Sequence, residues 1–409
     1  MRICYIVEFK IPDAHGGSTH TCEIAKNLSL LGNDVYVISS SLEQEDLKMK
    51  GFFVFGIKKR KIPSLLPLKA LRPLLLLIKI LKVIKMYDID VLYVRGSELD
   101  AAGTLAGLLT GRPVVLEVHH PTYTHFSAKY VNKIIAVGIN RRILKNIRCD
   151  VIEVSNAVDH EVFNPAINGL VIRSKYGITS DDIVVLYSGG FYPWHGLEEL
   201  IEAAKMLTSK RGLKVKFLMV GEGPLYRKIK KLVENYGLQE LFIFAGKVPY
   251  EVMPHLIASA DIAVAPFNPA KDPLTRKYGF FYSPLKLFEY MACEKPVIST
   301  SVGNICKIIE HGKTGLLVPP ANPEALADAI ELLIKDRELA SKLGMRARQE
   351  VIEKYSWKGV ANKIFTEMLK LKVKRKSLGK AFLLILFWYM GFLKDGVLNI
   401  LRSKTTFRG

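Results

Sequence analysis

An α/β architecture with two parallel-sheet domains is predicted by three observations on the chain. Short apolar runs of the buried-strand type recur from Arg2–Val7 to Val297–Ser299, and stretches with apolar residues at helical spacing follow most of them. Glycine-rich turns stand where such runs end, at His15-Gly16-Gly17-Ser18, Gly189-Gly190 and Gly221-Glu222-Gly223. The length of 409 residues, 49% of them hydrophobic, suffices for two cores of this kind.

The N-terminal half begins with the strand Arg2–Val7, a loop Glu8–Gly16, a helix Gly17–Leu31 closed by Gly32, and a strand Val35–Ser39. That is one βαβ unit. Glycines at 16 and 17 let backbone N–H groups approach an anion, although such pairs also serve plain tight turns. Ile89–Val94, Pro113–Val118, Ile134–Val137 and Val151–Val154 read as further strands. Glu117-Val118-His119-His120-Pro121 falls at the carboxyl end of one of them, where open α/β sheets bind ligands. The histidine pair lacks acidic or thiol partners at helical spacing, so no metal site is expected.

The second half opens with Ile183–Ser188 and the loop GGFYPWHG, Gly189–Gly196, which leads into a helix carrying Leu197, Leu200 and Ile201 on one face. Val215–Val220, Phe242–Ala245 and Ile262–Pro266 are strands, and Phe267–Tyr282 reads as a long aromatic and basic loop containing Arg276 and Lys277. The segment SPLKLFEYMACEKPVIST, Ser283–Thr300, reads as N-cap, proline at the first helical position, a short helix Leu285–Ala292, a turn and a strand. Its helix start is a seat for phosphate, to which Lys286 adds a full charge. Glu289 sits in an apolar run as either a satisfied core acid or a ligand-binding carboxylate. Pro323–Lys335 and Leu339–Tyr355 are amphipathic helices.

A formal charge of +20 calls for a polyanionic partner, nucleic acid or an anionic membrane. No nucleic-acid reading module is present, and the cationic clusters lie beside apolar stretches, so the membrane is favoured. In Ser64–Lys85 the apolar arc is wider than one packed face needs, and Lys79, Lys82 and Lys85 recur at three-residue spacing. The alternatives are a core helix with a solvated lysine stripe and an interfacial helix; the arc favours the second. The tail 372–409 joins a basic cluster to AFLLILFWYMGFL, short for a membrane span, with an interfacial anchor as the favoured reading. Five cysteines without CxxC spacing point to reduced thiols and a cytoplasmic setting, at the inner face of the membrane. MRICYIVEF runs directly into a strand rather than into a leader.

Several of these motifs, in this order, resemble the retaining glycosyltransferases of family 4, over roughly residues 1–371. Their fold is GT-B, two Rossmann-like domains facing across a cleft. The resemblance implies an N-terminal acceptor-side domain at 1–165, a nucleotide-sugar domain at 166–356, and a helix 357–371 that packs back on the first. SNAVDHEVFNP, Ser155–Pro165, is similar to the family's interdomain signature. By resemblance Glu289 binds the ribose hydroxyls of the donor, and Ser283, Leu285 and Lys286 hold its diphosphate. Gly16 and Gly17 lie near that diphosphate, and Lys247 and Val248 follow a strand whose loop reads the base through backbone groups. His119, with His120 as fallback, touches the donor sugar and faces the acceptor, and Glu117 is structural or supports it. His119 and Lys286 are the implied catalytic residues.

Three departures stand out. Phe281 replaces an acid that often holds the donor sugar, Gly190 an arginine and His195 a lysine; His195 is expected to donate a hydrogen bond to phosphate. The implied activity is transfer of a sugar from a nucleoside diphosphate sugar to a lipid-linked or glycan hydroxyl, with retention and without metal or cofactor. The alternative is a degenerate GT-B subunit that scaffolds another transferase.

Overall fold

The computed structural model describes residues 1–41, 44–56, 68–96, 100–122, 127–144, 147, 149–372, 379 and 381, with the backbone alone for 68–72. Nearly all of the tail expected at 372–409, and the start of the Ser64–Lys85 segment, lie outside these residues. The chain divides into two compact units. One comprises Met1–Asp13, Thr21–Val154 and the described residues from Ala361 onward; the other comprises Ala14–His20 and Ser155–Val360.

The first unit holds β1 (Arg2–Val7), β2 (Asp34–Ser39), β3 (Leu47–Met49), β4 (Phe52–Phe55), β5 (Val91–Arg95), β6 (Val114–Val118), β7 (Lys133–Val137) and β8 (Asp150–Val154). They form one sheet in the order β3-β4-β2-β1-β5-β6-β7-β8. Every pairing is parallel except β3 with β4. Strands covered on both faces are mostly apolar, which is why residues 3–7 of β1, 91–94 of β5, 114–116 of β6 and 134–137 of β7 read as near-continuous apolar runs. The short β3–β4 edge pair was not anticipated. Its three and four residues are too few for a periodicity signal. The connection leaves β1 on one side and returns on the other at β5, so the switch point lies between these two strands.

Helix α1 (Gly16–Leu30) follows β1, and α2 (Leu68–Tyr87) precedes β5 with Pro73 inside it. Along α2, Leu76, Ile80, Val83 and Ile84 are buried at helical spacing, so one face packs into the core. Leu74, Ile78 and Met86 remain exposed beside Lys82 and Lys85. Lys79 does not join that outward stripe. Its Nζ lies 3.8 Å from Asp46 and 5.1 Å from the Phe55 ring centroid, because a lysine between two faces gains more from a carboxylate and a ring than from water alone. Helix α3 (Asp100–Thr110), rich in Ala and Gly, was also not anticipated; Leu105 in it shares a buried cluster with Leu77 of α2 and with Ala381. No helix among the described residues is long and apolar enough to cross a membrane. From the helix Trp357–Leu369, Glu367 takes the Lys133 ammonium and Lys363 Nζ donates to Glu153 O at 2.9 Å, both within the first unit.

The second unit has six parallel strands, β9 (Ile183–Ser188), β10 (Val215–Val220), β11 (Phe242–Gly246), β12 (Ile262–Ala265), β13 (Val297–Thr300) and β14 (Leu316–Val318). Their order is β11-β10-β9-β12-β13-β14, with the switch point between β9 and β12. The crevice beyond the carboxyl ends of those two strands is therefore flanked by Gly189 on one side and Pro266-Phe267 on the other. Phe267–Tyr282 is not one loop. It contains a 3-10 turn Pro269–Lys271 and a helix Pro273–Tyr278, capped by the Asp272 carboxylate on Leu274 N and Thr275 N. Arg276 and Lys277 are exposed in its last turn.

Candidate functional site

The helix Leu285–Ala292 brings the charged residues of the second unit to the switch point. Ser283 was expected to cap this helix, and it does not. Pro284 occupies the cap position without a side-chain bond, and the Ser283 hydroxyl is turned away to Asn156 N and Ser155 Oγ, both at 2.9 Å. The first-turn N–H groups are thus left uncapped by any side chain, as an anion site requires. At the same end, Leu285 Cδ1 would lie 3.3 Å from a Cβ placed at Gly16. Gly16 there meets an apolar side chain closely, and Gly17 lies with it in the first turn of α1.

Lys286 is 9% exposed, and its ammonium has no hydrogen-bond partner. It rests 4.1 Å above the Tyr187 ring centroid and 5.5 Å from that of Phe267. Gly189 takes a φ of 130°, which L side chains rarely adopt, and its missing Cβ leaves room for Nζ, which would stand 2.5 Å from one. Glu289, on the same helix, accepts a hydrogen bond from Tyr250 OH at 3.0 Å. Burial pushes Lys286 down to about 7, against the raising pull of Glu289. Burial likewise pushes Glu289 up to about 7, against the lowering effects of Tyr250 and Lys286. An unpaired buried cation over two ring faces is costly without an anion. A phosphate between Lys286 and the helix start would satisfy both.

His195 follows three residues after Tyr192 in the same glycine loop. Its Nδ1 contacts the Gly190 carbonyl, and Tyr187 OH lies 2.8 Å from Nδ1 and 2.7 Å from that carbonyl. A carbonyl has no hydrogen to give, so Nδ1 carries the proton and donates it. Burial, then the nearby Lys286 charge, pulls this imidazole down to about 3. The expected phosphate donor is therefore a neutral ring whose one N–H is already used. Phe281, at the place of the missing acid, is 1% exposed and packed in the core, its ring centroid 4.5 Å from that of Tyr282. Lys247 is exposed just past β11, and Val248 packs on the hydrophobic core.

The first unit has its own polar cluster. Register places Tyr5 opposite Tyr93 and Arg95 opposite Glu117. Glu117, fully buried, accepts Tyr5 OH at 3.0 Å, the Tyr93 hydroxyl, Arg95 Nη1 at 3.0 Å and His119 Nε2 at 2.6 Å. Burial, then the Glu117 charge, holds both phenols well above their usual range, so they remain donors. His119 is thereby fixed through Nε2, in the tautomer that leaves the proton on the nitrogen facing Glu117. His120 is engaged in its own turn, 2.7 Å from the Thr122 hydroxyl.

Sequence reasoning missed Tyr187, Phe267 and Tyr250, which surround the Lys286–Glu289 pair, and Tyr5, Tyr93 and Arg95, which hold Glu117. A signal existed for Tyr93 and Arg95: polar-tipped residues two apart within an apolar strand share one sheet face. Which strands lie side by side was not legible.

Residues 14–189 match the family model Glycosyltransferase Family 4, and residues 170–350 match Glycosyl transferases group 1. The chain is 31% identical over 185 residues to alpha-D-kanosaminyltransferase of Streptomyces kanamyceticus, 45% of each protein. It is 30% identical over 207 residues to N-acetyl-alpha-D-glucosaminyl L-malate synthase of Bacillus anthracis, 50% of each. These matches span about half the length of the two curated relatives. Among solved structures, sucrose-phosphate synthase from Thermosynechococcus elongatus aligns with a TM-score of 0.73 at 18% identity, covering 89% of this chain and 97% of that one. The fold is GT-B. With both family models matched in succession and the fold shared, the chain belongs to the family 4 (group 1) glycosyltransferases.

Proposed function

We propose that this protein transfers a sugar from a nucleoside diphosphate sugar to a hydroxyl of a lipid-linked or glycan acceptor, with retention at the anomeric carbon. The observation that carries the reading is the Lys286 ammonium, buried without a hydrogen-bond partner and pressed against Gly189 at an uncapped helix start. Negative charge grows on the diphosphate as the anomeric C–O bond breaks. Lys286 and the first-turn N–H groups are already in place to receive it, which stabilises the transition state more than the ground state. Glu289, with Tyr250 on one oxygen, is assigned to the ribose hydroxyls, which can donate to its other oxygen. His119, clamped by Glu117, is assigned to the sugar on the acceptor side. With a buried phenylalanine at 281, no carboxylate nucleophile stands at that place, so front-face departure through an ion pair fits better than a covalent intermediate.

Titration of UDP- and GDP-sugars into the wild type and Glu289→Ala tests the reading. The variant is expected to lose affinity about tenfold or more, since a ribose pair held by a charged acceptor contributes about 1.5–3 kcal/mol. Equal binding would remove Glu289 from the donor site; no binding by either protein would sink the reading and favour a scaffolding subunit.

A peripheral membrane site for a lipid-linked acceptor is supported by α2, where Leu74, Ile78 and Met86 are exposed beside Lys82 and Lys85. In the Lys82→Gln/Lys85→Gln variant, sedimentation with anionic phosphatidylglycerol vesicles is expected to fall, by about 1 kcal/mol per lysine at most. Lys79→Gln is expected to matter less, since its ammonium faces Asp46. Unchanged sedimentation of the double variant removes α2 from the membrane surface.

A further inference from the structure

Where an arginine and a lysine are usual in this family, the Gly189–Gly196 loop carries glycine and histidine, and the space is refilled with rings. A Cβ at Gly190 would lie 2.5 Å from Tyr192 Cε2, so the Tyr192 ring occupies the ground that a side chain at 190 would cross. Tyr192 stacks on Trp194 at 4.8 Å and 16°, and Trp194 stacks on Tyr282 at 6.3 Å and 14°. Tyr192 is 40% exposed, at one end of this stack. The His195 ring stands 5.7 Å from Tyr192, edge to face. Phe267 links the loop to the ammonium, 5.6 Å from the His195 ring and 5.5 Å from Lys286 Nζ.

The histidine decides what the loop can bind. With Nδ1–H committed to the Gly190 carbonyl, Nε2 presents a lone pair. Burial and the Lys286 charge keep the ring neutral. A phosphate oxygen is also a pure acceptor, so the two repel rather than bond. A hydroxyl is the matching donor, and the C–H face of a pyranose is the matching surface for an aromatic stack. In a nucleoside diphosphate sugar the pyranose is bonded directly to the phosphate that Lys286 would hold, so it lies within one ring's width of it.

We propose that the Gly189–Gly196 loop is a sugar-recognition subsite, in which Tyr192, backed by Trp194, packs on the pyranose of the donor and His195 Nε2 accepts one of its hydroxyls, leaving the diphosphate to Lys286 and the helix start. The proposal rests on the nucleotide-sugar reading above. It makes the loop a determinant of which sugar is used, in place of the acid missing at 281.

Calorimetric titration with UDP, GDP, UDP-glucose and GDP-mannose separates the two ligand parts. His195→Asn retains a donor for the Gly190 carbonyl and deletes Nε2; Tyr192→Ala deletes the exposed ring; Tyr192→Phe keeps it. For the first two, affinity for the nucleotide sugar is expected to fall about threefold to tenfold each, the size of one hydrogen bond or one ring contact. Affinity for the bare diphosphate nucleotide is expected to stay within about twofold, as a group that does not touch phosphate changes little. Tyr192→Phe is expected to behave as wild type. If His195→Asn and Tyr192→Ala weaken the bare nucleotide as much as the sugar nucleotide, or weaken neither, the proposal is overturned while the donor site stands. If the wild type binds none of the four, the nucleotide-sugar reading falls and takes the proposal with it. Melting curves for each variant confirm that folded protein is being compared.

Discussion

Lys286→Met is expected to slow sugar transfer by orders of magnitude and, at the same time, to raise the melting temperature of the ligand-free protein. The two effects have one cause. Nζ is buried, has no hydrogen-bond partner and meets ring faces, with the Glu289 charge pulling the other way, so much of the desolvation cost of a cation is left unoffset. Methionine fills the same volume without that cost; each kcal/mol recovered corresponds to about 2–4 °C in a domain of this size. For catalysis, loss of the charge that the proposed function sets against the leaving diphosphate is expected to lower kcat/KM by about 10²–10³. Burial holds Lys286 near 7 instead of 10.5, so between those values the unfolded chain binds a proton that the folded one has released. Stability gained from this group therefore rises with pH from about 7 toward 10.5. Glu289, raised from 4.5 to about 7, acts in the opposite sense: the folded chain holds a proton that the unfolded one has lost, so stability falls as pH climbs through that window. The pair is at its least favourable near neutrality. The alkaline rise should vanish in Lys286→Met, and melting curves between pH 6 and 9 read it directly. A variant that binds UDP-sugars like the wild type would remove Lys286 from the site.

Glu117→Gln carries the second large effect. Tyr5, Tyr93, Arg95 and His119 all donate to this carboxylate, so the glutamine amide NH₂ would face donors on every side. Replacing the charge also leaves the Arg95 guanidinium, 12% exposed, without its 3.0 Å partner. Breaking a buried ion pair of this kind costs about 3–5 kcal/mol, visible as a lowered denaturant midpoint. The effect on transfer should run through His119, whose ring is held only as well as its acceptor. A double-mutant cycle separates position from mere stability. Once His119→Ala has been made, adding Glu117→Gln is expected to cost stability again but to leave the residual kcat where it was. A further drop in kcat would show that Glu117 acts on the reaction by another route.

How much of the candidate site was legible depended on how local its causes are. The pairing of Lys286 with Glu289 on one short helix follows from spacing alone, since residues three apart share a face whatever lies opposite. The glycine loops were visible too, because Gly189 and Gly190 have chemistry that depends on their own missing Cβ. His195 was read with the wrong polarity for a non-local reason. Its proton is claimed by a carbonyl five residues back and its charge suppressed by burial, then by a lysine ninety-one positions on. Ser283 was read with the wrong bonding, because Ser155 and Asn156 take its hydroxyl.

By itself the sequence determined that this is a two-unit parallel α/β protein and where most strands run. Hydrophobic runs, helical spacing and glycine turns act over a few residues, and each is written where it acts. Strand neighbours, and with them the Tyr5–Tyr93–Arg95–Glu117 cluster, were decided only in three dimensions. So were the rings beneath Lys286 and the tautomer of His195. Burial and partner identity set the charge of those groups, and both are sums over chain segments that meet only when the sheets have closed.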